Sequence, residues 1–527
     1  MRTGGLFAVA ALGTALSTTV NVVGVHAEGD PSVTVSEAVH HDVSLPLRYL
    51  AHVAAPEAPR PPRVIQVRPI PLAPLLGPEQ ADGALQSSAA TTVPTTDVLK
   101  FAGVGQGDYG FTDTSAPPDT NGSVGATQYV QQVNTSLGIF NKSTGALLLA
   151  VKATNSLWTG FGGGCETNSD GDGVVKYDRI ANRWVITQFS VSTLPYLECV
   201  AVSKTSDATG AYYRYAFSYG LNAFPDYPKI AVWPDAYYAT YNIFNGGVTF
   251  AGAKLCALNR TAMLAGVAAS QQCFQISPAY GAVLPADLDG ATLPPAGSPN
   301  YLVSFGTNKL ELWKLHINWL TPSLSKLTGP VAIPVAAFTA ACGGGGTCIP
   351  QKGVTQQLDS LADRLMYRLA YRNFGTHESL VVNHSVTVGS ATAVRWYELR
   401  SPGIVATVFQ SGTYAPDSVS RWMASIAMDK VGDIAVGYSA SSSAIYPAIR
   451  YTGRLSTDPV GVLAAEKVVK AGGGSQNGGL SRWGDYTALA IDPVDDCTFY
   501  YTNEYLKMTG KFNWSTEVNS FKFAACH

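Results

Sequence analysis

The chain has 527 residues and a formal net charge of −2, and only 14% of its residues are charged. No block of like charges occurs, so the basic stripe that neutralises nucleic-acid phosphates is missing, and we expect no nucleic-acid partner. The 52 glycines, 26 tyrosines and 9 tryptophans indicate short strands and tight turns rather than long surface helices.

Residues 1–27 have the pattern of a secretory signal peptide. Arg2 supplies a positive charge, residues 6–25 are mostly apolar and small, and Val25-His26-Ala27 gives a small-x-small cleavage site. Polar residues interrupt the apolar run, which favours a cleaved signal over a membrane anchor. No later stretch approaches the ~20 apolar residues of a spanning helix. We therefore expect a secreted or cell-surface protein without a membrane span.

Residues 28–97 are rich in Pro, Ala, Val and Thr, as in the run APEAPRPP at residues 55–62. Such a stretch has little periodicity and many helix and strand breakers. It predicts an extended linker or pro-region, in which residues 43–50 are candidates for docking on the folded body. The folded domain is then expected over residues 98–527.

An internal repeat begins near residue 117. Each copy has a polar turn with Asp or Arg, an apolar run, a second turn and an apolar or aromatic strand. The copies start near seven positions: Asp119, Gly173, Asp226, Asn300, Asp363, Arg421 and Arg482. Starts about 50 to 70 residues apart are typical of propeller blades, which are four-stranded sheets that stack around an axis. The sequence predicts an all-β fold, a β-propeller of seven blades. The weak fourth start leaves six or eight blades open, and an array of β-sandwiches is the alternative.

Eight cysteines suit an exported, oxidised protein. Their intervals suggest four local disulfides: Cys165–Cys199, Cys256–Cys273, Cys342–Cys348 and Cys497–Cys526. Residues 260–269, inside the second pair, predict a short helix outside the blade pattern.

Five segments resemble a group of secreted bacterial β-propeller proteins, largely uncharacterised, that are loosely sialidase- or BNR-like. They are PPDTNG at 117–122, FPDYP at 224–228, DRLMYRLAYR at 363–372, RWGDY at 482–486 and DDCTFYYTNE at 495–504. The resemblance covers nearly all of residues 115–505 and implies the propeller architecture. Sialidases carry repeated Asp-boxes of the form Ser-x-Asp-x-Gly-x-x-Trp, whereas TSDATGAYY at 205–213 is at best a degenerate copy. This departure argues against sialidase activity.

The innermost strand of each propeller blade begins at one face of the central channel, where ligands usually bind. The predicted phasing brings these charged residues to that rim: Asp119, Asp172, Asp226, Asp289, Asp363, Arg364, Arg421, Arg482 and Asp485. Clustered arginines hold a sugar carboxylate bidentately, so Arg364, Arg421 and Arg482 are candidate binding residues, with Asp119 and Asp226 beside them. Asp363 and Asp485 are candidate catalytic acid and base, and Tyr486, or alternatively Tyr414, is a candidate nucleophile or base. The alternative is that Asp and Arg pair with each other and hold adjacent blades together.

The loop NSDGDG at residues 168–173 offers oxygen ligands on a glycine-rich turn, so Asp170 and Asp172 are candidate calcium ligands. The alternative is a plain Asx-rich turn. No other cofactor is expected.

Together these patterns predict a secreted, monomeric propeller that binds a polysaccharide or glycoconjugate at its central face. Such a protein would be a hydrolase or lyase acting on acidic polysaccharide. The alternative is a non-catalytic module for extracellular adhesion or matrix binding.

Overall fold

A computed structural model of the chain describes Met1 and residues 31–53, 62–71, 80–110 and 115–527. Apart from Met1, the predicted signal peptide lies outside the described residues. None of the described helices is long and apolar enough to cross a membrane.

Most described strands are antiparallel neighbours in the chain, because short apolar runs alternate with turn residues. The chain ahead of the blades contributes six short strands: β1 (Thr34–Glu37), β2 (His40–Val43), β3 (Arg63–Val64), β4 (Leu85–Gln86), β5 (Thr95–Ala102) and β6 (Ser115–Ala116). Blade 1 contains β7 (Thr120–Val124), β8 (Gln128–Val133), β9 (Ser136–Asn141) and β10 (Leu147–Ala153). Blade 2 contains β11 (Val175–Asp178), β12 (Arg183–Ser190), β13 (Tyr196–Ser203) and β14 (Tyr212–Gly220). Blade 3 contains β15 (Ala223–Val232), β16 (Tyr237–Asn245), β17 (Thr249–Leu258) and β18 (Ser270–Gln275).

The later blades repeat this up-and-down order. Blade 4 contains β19 (Leu284–Asp289), β20 (Asn300–Gly306), β21 (Lys309–His316) and β22 (Lys326–Pro334). A ribbon of β23 (Thr347–Ile349) and β24 (Leu358–Asp359) follows it. Blade 5 contains β25 (Met366–Asn373), β26 (Glu378–Val388), β27 (Ala391–Arg400) and β28 (Thr407–Tyr414). Blade 6 contains β29 (Ser420–Met428), β30 (Ile434–Ser442), β31 (Ile445–Arg454) and β32 (Lys467–Lys470). Blade 7 contains β33 (Ala488–Ile491), β34 (Phe499–Leu506) and β35 (Trp514–Phe523), with β5 as its fourth strand.

The innermost strands close into a ring. Each of β7, β11, β15, β19, β25, β29 and β33 contacts the next, and β33 contacts β7. The predicted all-β propeller is therefore confirmed. The fourth predicted start is wrong, because the innermost strand of blade 4 begins at Leu284, and Asn300 opens the second strand.

Polar side chains on the innermost strands join neighbouring blades. Blades 4 and 5 share one sheet, in which β19 pairs in parallel with β25. At three other junctions a side chain of one innermost strand accepts a hydrogen bond from a backbone N–H of the adjacent one, which joins the inner edges without a continuous sheet. Four such bonds are Val175 N–H to Asn121 (2.8 Å), Tyr177 N–H to Ser123 (3.1 Å), Val232 N–H to Asp287 (3.0 Å) and Leu489 N–H to Ser425 (3.1 Å).

The described segments 31–53 and 80–102 run along the outer edges of the blades. Strand β1 extends blade 3, β2 extends blade 2, and β4 extends blade 5. In blade 6, the Val93 N–H donates to the Ala465 carbonyl at 2.9 Å. The described parts of residues 28–97, predicted as linker or pro-region, are thus integrated in the fold, and the propeller includes Thr95, ahead of the predicted boundary at 98.

Helices are few and short: α1 (Leu47–Val53), α2 (Gly163–Thr167), α3 (Arg260–Ala265) and α4 (Cys342–Gly345), with 3₁₀ turns at Asp108–Gly110, Thr154–Trp158 and Pro322–Leu324. The predicted helix after residue 260 is confirmed in a shorter form. The Asn259 side chain caps it by accepting from the Ala262 N–H, and Gly266 ends it in the left-handed conformation.

All four predicted disulfides are confirmed: Cys165–Cys199, Cys256–Cys273, Cys342–Cys348 and Cys497–Cys526. Each joins cysteines at most 34 residues apart. Four disulfides suit an oxidising, extracellular environment.

Candidate site on the central face

The backbone turns sharply just ahead of β7 and β11 and at a bulge within β15, in three successive blades. Asp119, Asp172 and Tyr227 have φ angles of 46°, 49° and 55°, in the left-handed region that non-glycine residues seldom adopt. Asp tolerates this region better than other residues, whereas a tyrosine there is an outlier. Backbone strain of this kind is concentrated at functional sites, which directs attention to this end of the channel.

Three carboxylates meet at these turns, and we call them the central cluster: Asp119, Asp172 and Asp485. One oxygen of each lies within 4.8 Å of the others, and all three side chains are buried. Asp119 accepts the Asp485 N–H at 2.8 Å and the Asn134 amide N–H at 3.1 Å. Burial and the neighbouring carboxylates raise the pKa of Asp119 well above its usual value. Burial is also the main cause that raises the pKa of Asp172.

Lys229 and Tyr486 lie beside the central cluster. The Lys229 ammonium is 3.5 Å from the ring centroid of Tyr227 and 4.0 Å from that of Tyr486, and it donates to the Pro228 carbonyl at 2.8 Å. Burial lowers the pKa of Lys229 to about 8. The buried Tyr486 hydroxyl has no hydrogen-bond partner among the described residues, and burial raises its pKa well above the usual value.

Two of the predicted arginines lie at this face, each paired with carboxylates. Arg482 donates to Asp359 at 2.8 Å and also bonds Asp485. Arg364 donates to both oxygens of Asp363, at 2.7 and 3.1 Å. The arrangement contains the Arg–Asp pairs of the alternative interpretation as well as the residues of the predicted pocket.

Arg421, the third predicted arginine, does not lie at this face with Arg364 and Arg482. It lies inside blade 6, where it donates to Asp417 and Glu466 at 2.9 Å and faces the Tyr414 ring. The prediction failed because strand β29 has a bulge after Trp422, with Met423 at φ 49°, which changes the direction of the side chains before it.

Two aspartates also lie away from the predicted site. Asp289 ends β19 at the far end of the channel and pairs with Arg368 at 2.5 Å. Asp170 accepts the N–H groups of Val191 and Ser192 at 2.7 and 2.8 Å and pairs with Arg63 at 3.5 Å, so it fixes distant segments and forms neither a calcium site with Asp172 nor the local Asx turn of the alternative interpretation. The two predicted calcium ligands therefore do not share a site, since Asp172 belongs to the central cluster and Asp170 does not.

The far end of the channel is charge-balanced. Lys176 and Arg368 both pair with Asp287, and Arg368 also pairs with Asp289. These groups line a small cavity but satisfy one another. The strained, acidic end is thus the better candidate site.

Residues 62–71, which we call the central strap, cross this acidic end. Strand β3 pairs in parallel with β6, and the Ile65 N–H donates to the Ala116 carbonyl at 2.8 Å. The Ile65 carbonyl accepts from Arg482 at 2.8 Å, and the Arg68 carbonyl accepts from Arg364 at 3.5 Å. The strap therefore occupies the face that the sequence predicts as a ligand site.

Side chains of the central strap also contact the propeller. The Arg68 guanidinium pairs with Asp226 at 3.4 Å and lies 4.0 Å from the Phe224 ring centroid. Burial raises the pKa of Asp226 to about 7, although Arg68 opposes this shift. The Ile70 N–H donates to Asp363 at 3.1 Å, and its side chain is buried. A Cβ at Gly281 would lie 2.8 Å from Ile70, so this glycine leaves room for the strap.

No protein-family model and no curated protein match the chain. Solved structures with similar folds include the WD40 domain of SCAP from fission yeast, with 9% identity, a TM-score of 0.35 and coverage of 87% of this chain and 98% of that one. Drosophila Semaphorin 1b, extracellular domains 1–2, has 6% identity, a TM-score of 0.31 and coverage of 82% and 88%. The α-L-arabinofuranosidase from Lactobacillus brevis has 9% identity, a TM-score of 0.28 and coverage of 66% and 89%. These likenesses carry no argument about the site.

Proposed function

We propose that the protein is an extracellular glycan-binding propeller whose ligand site is the groove beneath the central strap. The observation that carries this proposal is the set of bonds between strap and propeller. They show which donors and acceptors the groove offers to an occupant.

A groove without the strap has the chemistry of a sugar site. Arg364 and Arg482 each gain a free N–H donor, and Asp226 and Asp363 each lose a donor partner. The Phe224 ring, now covered by a guanidinium, becomes available for stacking. Sugars present hydroxyl groups at their edges and apolar C–H groups on their faces, which match paired polar groups around an aromatic ring.

The charges favour a neutral glycan over the acidic polysaccharide of the sequence prediction. Each groove arginine is already held by a carboxylate, Arg364 by Asp363 and Arg482 by Asp359. The carboxylate of an acidic sugar would have to displace these aspartates and would also face the central cluster. Neutral hydroxyl groups meet neither obstacle.

Hydrolysis or elimination is the enzymatic form of this proposal. Asp226 and Asp363 both lie on the groove and lose a strap partner when it opens, so they are the candidate acid and base. Asp485 and Tyr486 are buried below the strap and are placed to act only once it is displaced. The proposed catalytic roles of Asp363, Asp485 and Tyr486 therefore require strap release.

A non-catalytic adhesion or matrix-binding module is the second candidate. The occupant seen in the groove is an extended peptide, and its strand pairs with β6 through the main chain. Main-chain pairing of this kind is a common mode of peptide recognition. A protein ligand with an arginine over Phe224 would use the same contacts.

The test compares the wild-type protein with an Arg68→Ala/Ile70→Ala variant on a glycan array and on matrix proteins. Arg48→Ala, at an exposed ion pair with Asp207 away from the strap, is the matched control. We expect the strap variant alone to gain at least about tenfold in affinity for neutral glycans, since competition by the strap is reduced. Adding Arg364→Gln should remove that gain.

The outcomes separate the candidates. New reducing ends or unsaturated products would show an enzyme, whereas binding without products would show a lectin-like module. Binding to matrix proteins alone would favour the second candidate. An unchanged glycan profile in the strap variant, or glycan binding that survives Arg364→Gln, would refute the groove as the sugar site.

A further inference from the structure

The central cluster gathers carboxylates that are distant in the chain. Asp119 precedes blade 1, Asp172 precedes blade 2 and Asp485 precedes blade 7, and their oxygens lie within 4.8 Å of one another. An ionised carboxylate buried without a compensating positive charge is costly, because it loses its hydration. The charges around the cluster therefore decide what it can hold.

The neighbouring cations do not balance these carboxylates. Arg482 is shared between Asp485 and Asp359. Lys229 acts electrostatically on all three carboxylates but makes no ion pair with them among the described residues, since its ammonium lies over two tyrosine rings and donates to a main-chain carbonyl. Asp119 receives only hydrogen bonds from an amide side chain and a backbone N–H. An additional positive charge is needed if all three are ionised.

Two buried oxygens at the cluster also lack partners. Oδ1 of Asp172 and the Tyr486 hydroxyl make no hydrogen bond among the described residues. Both residues are more than nine-tenths buried, and Tyr486 is within electrostatic range of all three cluster aspartates. Buried polar atoms are nearly always bonded, so two orphans at one place point to a missing partner that accepts oxygen ligands.

The distances between the three carboxylate oxygens limit the size of the ion that they can bind. Oxygens no more than 4.8 Å apart leave a central point at most about 2.8 Å from each. Calcium binds oxygen at about 2.3–2.6 Å with flexible geometry, whereas magnesium requires about 2.0–2.1 Å and a near-ideal octahedron. The cluster fits calcium with small side-chain movements and fits magnesium less well.

We infer that Asp119, Asp172 and Asp485 form a calcium site at the axis of the propeller, with the Tyr486 hydroxyl as a further oxygen and water completing the shell. The site draws its ligands from the starts of blades 1, 2 and 7, and so an ion there ties the closing blade to the first two. The inference does not depend on what the groove binds, but it makes Asp485 and Tyr486 ion ligands, so that in an enzyme the acid and base roles fall to Asp226 and Asp363.

The experiment measures calcium binding to the full chain after dialysis against EGTA. Thermal unfolding is followed with added Ca²⁺ or Mg²⁺, and Tb³⁺ luminescence is excited through the nearby tyrosines. Asp172→Asn removes a charged ligand, and Asp170→Asn is the matched control, two residues away on the same loop but outside the cluster.

We expect Ca²⁺ to raise the unfolding temperature of the wild-type protein and of Asp170→Asn, and to displace Tb³⁺ from both. In Asp172→Asn the calcium affinity should fall by at least about tenfold, because ligand charge sets affinity. Without calcium this variant should unfold no more easily than wild type, since it removes a buried like charge. The inference is overturned if Ca²⁺ has no effect on the wild-type protein, or if Asp172→Asn retains the wild-type response.

Discussion

Replacing Arg68 and Ile70 together by alanine removes two strap side chains that contact the propeller at the groove. Ile70 is buried beside Gly281, and an Ile→Ala change at such a site costs about 2 kcal/mol at the low end of the usual range. The Arg68–Asp226 pair is partly exposed and contributes at most about 1 kcal/mol, with a similar contribution from the contact with Phe224. The strap should therefore lose about 3 kcal/mol of its attachment, which corresponds to about a hundredfold in its opening equilibrium.

Hydrogen exchange measured by mass spectrometry reports the opening equilibrium of the central strap. The Ile65 and Ile70 N–H groups are bonded to the Ala116 carbonyl and to Asp363, so they exchange only when the strap opens. We expect their protection to fall about a hundredfold in the double variant while the amides of β26 are unchanged. Equal loss of protection in Arg48→Ala, or no loss in the double variant, would refute the assignment of these contacts as the strap's attachment.

Three further predictions concern pH, a disulfide and a buried ion pair. Because the pKa of Asp226 is raised from 3.8 to about 7, the stability this carboxyl contributes is present below pH 4 and is lost as the pH rises through 7. The free energy of unfolding by urea should therefore fall more between pH 5 and pH 8 in wild type than in Asp226→Asn; equal falls would contradict this. Replacing Cys165 and Cys199 by alanine opens a 34-residue loop and should lower the free energy of unfolding by about 3–4 kcal/mol in the same assay. Asp178→Ala leaves the Arg260 guanidinium without the two bonds it now makes, at 2.7 and 3.0 Å, and should cost about 3–5 kcal/mol; a loss below about 1 kcal/mol would show that the pair is not effectively buried.

The fold was predictable because each blade is one repeat of the chain. Strands within blades 1–6 are sequential, and all four disulfides join cysteines that are close in sequence. The fourth start was misplaced because the segment before Leu284 lacks the Asp or Arg that marks the other blades. Periodicity detects repeats that resemble one another, and blade 4 departs from the rest.

The site was predictable in part for the same reason. The residues that lead each innermost strand converge at the axis, which brought Asp119, Asp172, Asp226 and Asp485 to one face. Arg421 shares its Arg-Trp motif with Arg482, but a bulge changes its direction, and bulges leave little trace in a single sequence.

The strap could not be predicted, because its contacts are far apart in the chain. Arg68 and Asp226 are 158 residues apart, and Ile70 and Asp363 are 293 apart. A proline-rich stretch with no periodicity gives no sign of where it lies on a folded body. Lys229 was missed for a related reason, since only the fold shows that its ammonium lies between two tyrosine rings.

The outermost strand of blade 7 comes from residues 95–102, ahead of blade 1, and pairs with β35. Leu99 and Ser520, bonded across this pair, are 421 residues apart. Loop closure over such a distance is slow and follows local pairing, so blades 1–6 can assemble before the circle is sealed. Until β5 pairs with β35, β35 remains an open edge strand of blade 7, and the late encounter of these two strands is the step at which aggregation through that edge would compete with folding.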